Sequence, residues 1–133
     1  MQFYLTVKGL VRNAEGKILV LKRSDQDDHK PGVWETPGGG VDTEEAPQKA
    51  LEREVLEETG LAITVREPFN VFTFRKDTGE FKVGMTFLCD LTAGEAKLSH
   101  EHTEYAWIHP KEFSNFVSVP SLHEEIANYA EKY

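Results

Sequence analysis

Short apolar stretches rich in β-branched residues recur along the chain and predict strands. Residues 3–12 and 17–22 form two such stretches, and the polar turn 13–16 between them predicts a β-hairpin. Residues 34–36 are expected to be extended, because Pro37 disfavours a helical conformation in the residue before it. Later strands are predicted at residues 63–66, 69–75, 81–91 and 105–108. Residues 76–79 have the composition of a turn, and residues 115–118 are predicted to be irregular.

Two segments have the apolar spacing of amphipathic helices. The first is predicted to begin with Pro47 at its first position and to end at Gly60, a residue that favours a left-handed helix terminus. Ala46 would be its N-cap, where the missing side-chain acceptor costs about 1 kcal/mol. The second opens at Ser121 and turns four side chains inward: Leu122, Ile126, Tyr129 and Ala130. Strands around a central helix, with a second helix at the end, predict an α/β fold with a mixed sheet between helical layers.

Three glutamates fall on one strip of the first predicted helix. At about 100° per residue, Glu54, Glu57 and Glu58 lie within roughly 100° of one another, and like charges at this spacing repel. A solvated charged face would lie opposite the apolar stripe, yet Ala50 and Leu51 fall on the acidic side. The strip is therefore predicted to continue onto the inward face. Carboxylates that point inward favour a site for hard divalent cations, which prefer oxygen ligands.

The negative charge of the chain is concentrated around this helix. The chain has 133 residues, which suits one domain over residues 1–133, and a net charge of −8. Residues 39–61 hold seven acidic and two basic residues, a balance of −5, which leaves −3 for the rest. Nucleic acid is disfavoured as a nonspecific partner, because binding to a phosphate backbone relies on basic surface. A small nucleotide bound through divalent ions is compatible with this charge.

The single cysteine and the N-terminus bear on the environment of the protein. Cys89 excludes an intrachain disulfide, and its apolar neighbours predict a small buried side chain rather than a reactive thiol. The N-terminus lacks a basic region followed by a long apolar stretch, and no run of the sequence approaches a membrane span. We expect a cytoplasmic protein, and a homodimer is compatible with the sequence.

Residues 39–61 have a spacing of glycine, glutamate and arginine that resembles the signature of the Nudix hydrolases, the MutT-like family. That signature is glycine, five residues, glutamate, seven residues, then arginine, glutamate, an aliphatic residue, any residue, two glutamates, any residue, glycine and an aliphatic residue. Weaker similarities are present at 34–38 and 107–113. A chance match to so many fixed positions is very improbable. Every defined position is matched, by Gly39, Glu45, Arg53, Glu54, Val55, Glu57, Glu58, Gly60 and Leu61.

The resemblance implies a Nudix α/β/α sandwich and an enzyme that hydrolyses a nucleoside diphosphate linked to another moiety. Mg²⁺ is the implied cofactor, with Mn²⁺ as a substitute, and the implied partners are small-molecule nucleotides. By position in the family pattern, the metal ligands are the backbone carbonyl of Gly38, in the glycine turn 37–40, and the carboxylates of Glu54, Glu57 and Glu58. Glu54 and Glu57 are also expected to be needed for catalysis.

The resemblance also implies roles for residues around these ligands. Arg53 is expected to pair with a glutamate of the signature and fix its orientation, and Glu45 is expected to be structural. The general base stays open between Glu54 and a carboxylate outside the signature. Glu101 is our choice for that carboxylate, because it precedes Trp107 at the spacing of a loop glutamate in MutT-like enzymes.

Substrate contacts are expected from basic and aromatic residues. Lys22 and Arg23 end the second predicted strand, where relatives place a basic residue on substrate phosphate or base, although a solvated strand end fits equally well. Phe72, Phe74 and Trp34 either stack on a base or fill the core.

The substrate class is narrowed by subgroup motifs. Motifs that mark Nudix subgroups acting on NADH, dinucleoside polyphosphates or ADP-ribose are missing from the sequence. We therefore expect MutT-type activity on nucleoside triphosphates or a similar small nucleotide. An ADP-sugar or dinucleotide pyrophosphatase, an RNA-end pyrophosphatase and a noncatalytic nucleotide-binding Nudix module stay open as alternatives.

Overall fold

A computed structural model describes residues 3–25, 30–42 and 44–133. The strands are β1 (Tyr4–Arg12), β2 (Ile18–Arg23), β3 (Trp34–Glu35), β4 (Gly38–Gly40), β5 (Ala62–Arg75), β6 (Phe81–Ala93) and β7 (His102–Ile108). The helices are α1 (Pro47–Thr59), a 3₁₀ helix (Pro110–Asn115) and α2 (Pro120–Lys132).

One mixed sheet organises the described part of the chain. Its order is β3-β2-β1-β6-β5, with β4 paired to β1 and β7 paired to β2. β1 and β6 are parallel, whereas the other recorded pairs are antiparallel. α1 packs Leu51 and Val55 on one face, and α2 packs Ile126 and Tyr129 on the other. The predicted mixed sheet between helical layers, an α/β/α sandwich, is confirmed.

α1 begins and ends where the sequence predicts. Pro47 is in its first turn, and the N-cap Ala46 has extended backbone angles and no side-chain cap hydrogen bond. Gly60 ends the helix in the left-handed conformation, with φ 73°, and its N–H donates to the carbonyl of Leu56 at 2.9 Å. These boundaries depend on local backbone chemistry, which explains why the sequence alone predicts them.

The predicted hairpin is confirmed, and two strand predictions are corrected. β1 and β2 pair at Arg12 and Ile18. The predicted break between residues 63–66 and 69–75 is wrong. β5 is continuous, and register shifts in its pairing with β6 accommodate Pro68. β7 begins at His102 rather than at residue 105, because its pairing with β2 extends to Arg23.

The glycine turn and the C-terminal region also differ from prediction. Residues 38–40 form the short strand β4, because they pair with Thr6–Lys8 of β1. The 3₁₀ helix was not predicted, and α2 begins at Pro120, one residue before Ser121, because proline is accepted in the first helical turn.

Cys89 is 1% exposed, and burial raises the pKa of its thiol to about 12, so the predicted small buried side chain is confirmed. Among the described ranges, no helix combines the length and apolarity that a bilayer crossing requires.

Candidate active site

The backbone of β4 lies beside α1 because the sheet divides there. β1 pairs with β2 next to the hairpin, at Arg12 and Ile18, whereas its earlier residues Thr6–Lys8 pair with β4. The N–H of Gly9 donates to the carbonyl of Pro37 at 2.9 Å and fixes the entry to this strand. The glycine backbone therefore reaches the acidic side of α1.

Two of the three glycines in β4 leave no room for a side chain. The N–H of Gly38 donates to Oε1 of Glu58 at 2.8 Å. A Cβ at Gly38 would overlap the carbonyl of Val7, and φ there is +147°. A Cβ at Gly39 would lie 2.6 Å from the carboxylate of Glu54. Glycine at 39 lets the backbone approach the carboxylate of Glu54, and glycine at 38 lets it pack against β1 while its N–H reaches Glu58.

The guanidinium of Arg53 connects the carboxylates of this region. It donates to both oxygens of Glu45, from Nε at 2.8 Å and from Nη2 at 2.9 Å. Nη1 donates to Glu54 at 3.1 Å and to Glu57 at 3.3 Å, and Nη2 also reaches the carbonyl of Gly40 at 3.2 Å. The hydrogen bond to Glu45 contributes most to a raised pKa of Arg53. Planar bidentate contacts of this kind require arginine rather than lysine.

Glu45 ties the loop before α1 to this arginine. Its Oε1 accepts the N–H of Asp42 at 3.2 Å. The hydrogen bond from Arg53, followed by that backbone contact, lowers the pKa of Glu45 below its ordinary value. These contacts agree with the structural role expected for Glu45.

The three glutamates of the acidic strip differ in exposure. Glu58 is 6% exposed, and the side chain of Glu54 is 19% exposed. The prediction that the whole strip faces inward is wrong for Glu57, whose side chain is 58% exposed, because Glu57 lies at the edge of the strip and pairs with Arg53 one turn earlier. Glu54 and Glu58 thus form the inner part of the strip.

Burial changes the proton affinity of the two inner carboxylates. Burial raises the pKa of Glu58 to about 7, although the charge of Lys8 and the N–H of Gly38 act in the opposite direction. Burial also raises the pKa of Glu54, against the hydrogen bond and charge of Arg53, and the charges of Glu57 and Glu101 add to the increase. A raised carboxylate pKa is typical of functional sites.

A half-buried carboxylate, Glu35, lies in a cluster that was not predicted from the sequence. Its oxygens are 3.1 Å from Nη1 of Arg23, 3.7 Å from Nζ of Lys8 and 2.8 Å from Nε2 of His102. Burial alone would raise the pKa of Glu35, but the charge of Lys8, the hydrogen bond from His102 and the charge of Arg23 lower it to about 2. The sequence signal of this cluster was the weaker family similarity at 34–38, which contains Glu35.

The residues predicted to contact substrate lie in different surroundings. Arg23 is held by Glu35, whereas Lys22 forms an exposed ion pair with Glu104 at 3.3 Å. Glu101 is exposed, and its charge acts on Glu54 as described above. The structure therefore brings Glu101, but not Lys22, into the electrostatic surroundings of the acidic strip.

The three aromatic residues considered for stacking on a base also lie in different surroundings. Trp34 packs edge-on against Phe116 at 5.0 Å and belongs to the core under α2. Phe72 and Phe74 are stacked with their ring centroids 6.0 Å apart, and Phe74 is 38% exposed. Trp34 fills the core, and the phenylalanine pair remains accessible.

The donor chemistry of the site fits a hard divalent cation. Carboxylates of Glu54 and Glu58 lie against the glycine backbone, where a Cβ would collide, and Glu57 is joined to Glu54 through Arg53. Within the described ranges, no three carboxylate, imidazole or thiol groups stand close enough together to chelate one ion. Binding would therefore require the three glutamate side chains to converge by rotation.

Comparisons with known proteins give the class of this site. The NUDIX domain family matches residues 3–131. A MutT-like protein of Streptomyces ambofaciens is 34% identical over 110 residues, which cover 83% of this chain and 66% of that protein. The nucleoside triphosphatase NudI of Escherichia coli is 30% identical over 118 residues, which cover 80% of this chain and 82% of NudI.

A solved structure agrees with these relatives. The crystal structure of the MutT protein from Methanosarcina mazei Go1 has a TM-score of 0.85 at 27% identity, and the match covers 98% of this chain and 94% of that one. The chain belongs to the Nudix family and is a hydrolase that acts on pyrophosphate bonds. Nudix hydrolases generally need a divalent metal ion.

Proposed function

We propose that this protein is a Mg²⁺-dependent pyrophosphohydrolase of nucleoside triphosphates or similar small nucleotides, with Mn²⁺ as a substitute ion. The observation that carries the proposal is the approach of the Gly38–Gly40 backbone to Glu54 and Glu58 beside the guanidinium of Arg53. The similarity to a MutT-like protein and to the nucleoside triphosphatase NudI supports this substrate class.

Glu54, Glu57 and Glu58, together with the carbonyl of Gly38, would hold the divalent ion. When bound, the ion neutralises phosphate oxygens and favours deprotonation of water. Glu58 is anchored by the N–H of Gly38 at 2.8 Å, so one end of this ligand set is fixed before substrate arrives. Arg53 orients Glu54 and Glu57 and balances part of their charge.

Glu54 serves as the general base in this proposal, and Glu101 assists it. Burial raises the pKa of Glu54, which makes its carboxylate a better proton acceptor than a solvated one. Water gives its proton to Glu54 while its oxygen forms a bond to phosphorus. The anhydride P–O bond then breaks, and a nucleoside monophosphate and pyrophosphate are released. Lys22 and Arg23 are the proposed substrate contacts at the end of β2.

A product screen tests this function. Purified protein is incubated with nucleoside triphosphates, oxidised nucleotides, ADP-sugars and dinucleotides, with Mg²⁺, with Mn²⁺ or with a chelator. We expect a nucleoside monophosphate and pyrophosphate from a triphosphate, and no reaction with the chelator. Release of inorganic phosphate and a nucleoside diphosphate would overturn the proposed cleavage position, and turnover of ADP-sugars or dinucleotides alone would overturn the proposed substrate class. Binding without any product would indicate a noncatalytic module.

A further inference from the structure

Glu125 of α2 is a buried carboxylate outside the acidic strip. It is 7% exposed, and its Oε2 accepts two hydrogen bonds, from Nδ2 of Asn70 at 2.8 Å and from Oγ1 of Thr86 at 2.9 Å. Both donors are neutral, and within residues 3–25, 30–42 and 44–133 no ion pair or hydrogen bond is recorded for Oε1. Among the described residues, Oε1 is not one of the fully occluded side-chain atoms that lack a partner, so it is open to a further hydrogen-bond donor.

The partners of Glu125 lie in one row of the sheet that ends at the candidate active site. Thr86 of β6 pairs with Asn70 of β5 on one side and with Lys8 of β1 on the other, and Lys8 pairs with Gly38. Gly38 is the residue whose N–H binds Glu58. At about 4.8 Å per strand, Thr86 is roughly 10 Å from Gly38. That separation is comparable with the span of a nucleoside from its 5′ oxygen to the edge of its base.

An aromatic surface, formed by Phe72 and Phe74, lies beside this row on the same face of the sheet. Alternate residues of a strand share a face, so Asn70 and Phe72 lie on the same face of β5. The residues paired with them, Thr86 and Gly84, lie on that face of β6. The ring of Phe72 lies over Gly84, where a Cβ would collide with it. Phe74 is 38% exposed and Phe72 is half-buried, and neither belongs to the core under α2. This aromatic surface is therefore accessible next to Glu125.

We propose that Glu125 recognises the exocyclic amino group of the substrate's nucleobase, which stacks on the ring of Phe72. This inference rests on the proposed function. An ionised carboxylate only accepts hydrogen bonds, so it favours a base edge that presents N–H groups and disfavours a carbonyl oxygen. Adenine, cytosine and guanine carry an exocyclic amino group, whereas uracil and hypoxanthine do not. Rings of phenylalanine stack on any base, so selectivity would come from the carboxylate.

Two matched pairs of nucleotides test the proposal in the wild-type protein. GTP differs from ITP by the exocyclic amino group, and CTP carries an amino group where UTP has an oxygen. We expect kcat/KM to be about tenfold higher for GTP than for ITP and for CTP than for UTP, because one hydrogen bond to a charged group is lost with each analogue. Equal values within both pairs would overturn the proposal, and this measurement does not depend on any variant folding.

The variant Glu125→Gln links the discrimination to this side chain. Glutamine keeps an oxygen for Asn70 and Thr86 but adds an N–H donor, so both ratios should fall towards one, mainly through KM. The control is Glu124→Gln, an exposed neighbour on the same helix, which should keep the wild-type ratios.

The outcomes separate the inference from the function on which it rests. Unchanged ratios in a folded Glu125→Gln protein would show that Glu125 only ties α2 to the sheet, and the proposal would be wrong. Hydrolysis of all four nucleotides at one rate would overturn the inference alone. No hydrolysis of any nucleotide with Mg²⁺ or Mn²⁺ would overturn the proposed function and the inference with it.

Discussion

Glu35 is half-buried and Glu58 is buried, both close to the glycine strand, yet their pKa values move in opposite directions. Burial raises the pKa of both carboxyl groups, but at Glu35 the charges of Lys8 and Arg23 and the hydrogen bond from His102 prevail and lower it to about 2. At Glu58 burial prevails and raises it to about 7. Glu35 is therefore a structural anion, whereas ionised Glu58 would be stabilised by an added cation.

At the residue scale, Glu35→Gln should change how stability depends on pH. The pKa of Glu35 falls from 4.5 to about 2 on folding, so its ionisation stabilises the fold above pH 4.5. This contribution is lost as the pH falls from 4.5 towards 2. The difference between wild type and variant should be on the order of 3 kcal/mol at neutral pH and shrink through that window.

Urea unfolding between pH 7 and about pH 3 measures this difference, because the linked proton uptake changes stability across that range. Glu124→Gln, an exposed change of the same charge, is the control and should show little pH-dependent difference. A Glu35→Gln deficit that stays constant from neutral to acidic pH would contradict the assignment of Glu35 as the stabilising anion.

Glu57→Gln should separate activity from stability. Its side chain is 58% exposed and pairs with Arg53 at 3.3 Å, so the free energy of unfolding should change by no more than about 1 kcal/mol. Loss of a metal ligand should lower kcat by roughly 100-fold or more. Steady-state kinetics and urea unfolding measure the two effects, with Glu52→Gln on the same helix as control. Full activity in Glu57→Gln would remove this residue from the mechanism.

At the scale of elements, the close packing of β4 against α1 depends on the absence of a side chain at Gly39. A Cβ at Gly39 would lie 2.6 Å from the carboxylate of Glu54, whereas a Cβ at Gly40 meets nothing within 4 Å. The two neighbouring glycines therefore provide a matched pair of substitutions. Neither substitution disturbs an interior position of α1.

Gly39→Ala should lower kcat/KM by about 100-fold, because displacing a catalytic group by about 1 Å has effects of this size. Its stability should change little, since the end of a flexible glutamate side chain can move. Gly40→Ala should keep wild-type activity. Kinetics of both variants, with thermal unfolding as a check on the fold, test the close approach of Glu54. Equal activity in the two variants would contradict it.

The start of α1 offers a test of stability without a change in the site. Ala46 has the extended backbone of an N-cap but no side-chain acceptor. Ala46→Ser should add about 1 kcal/mol to the free energy of unfolding and raise Tm by about 3 °C. Ala127→Ser, at an exposed interior position of α2, is the control and should give no gain. A neutral or destabilising Ala46→Ser would show that another group already satisfies the helix terminus.

At the scale of the whole molecule, local signals were read correctly from the sequence and pairings between distant segments were not. Pro47 and Gly60 set the ends of α1 through their own backbone preferences, so both boundaries were predictable. The strand identity of residues 38–40 depends on Thr6–Lys8, which are 30 to 34 positions away from their partners. The bulged continuity of β5 likewise depends on its partner β6.

The residues of the candidate site were likewise predictable from the sequence where they lie on one helix, and not where distant strands meet. Arg53, Glu54, Glu57 and Glu58 occupy one helix, so their spacing identified them together. Glu35 contacts Lys8 of β1 and His102 of β7, and no periodicity in one segment reveals that three strands meet there. The exposure of Glu57 was missed because a helical wheel gives directions but not the position of the neighbouring layer.

Manganese binding tests the central claim most directly, namely that the acidic strip of α1 and the glycine strand gather divalent ions. Electron paramagnetic resonance of free Mn²⁺ would be followed during titration of the wild-type protein and of a variant with Glu54, Glu57 and Glu58 all changed to glutamine. We predict that the wild type binds Mn²⁺, that Mg²⁺ competes for it, and that the folded variant loses this binding. Equal binding of Mn²⁺ by both proteins would contradict the account.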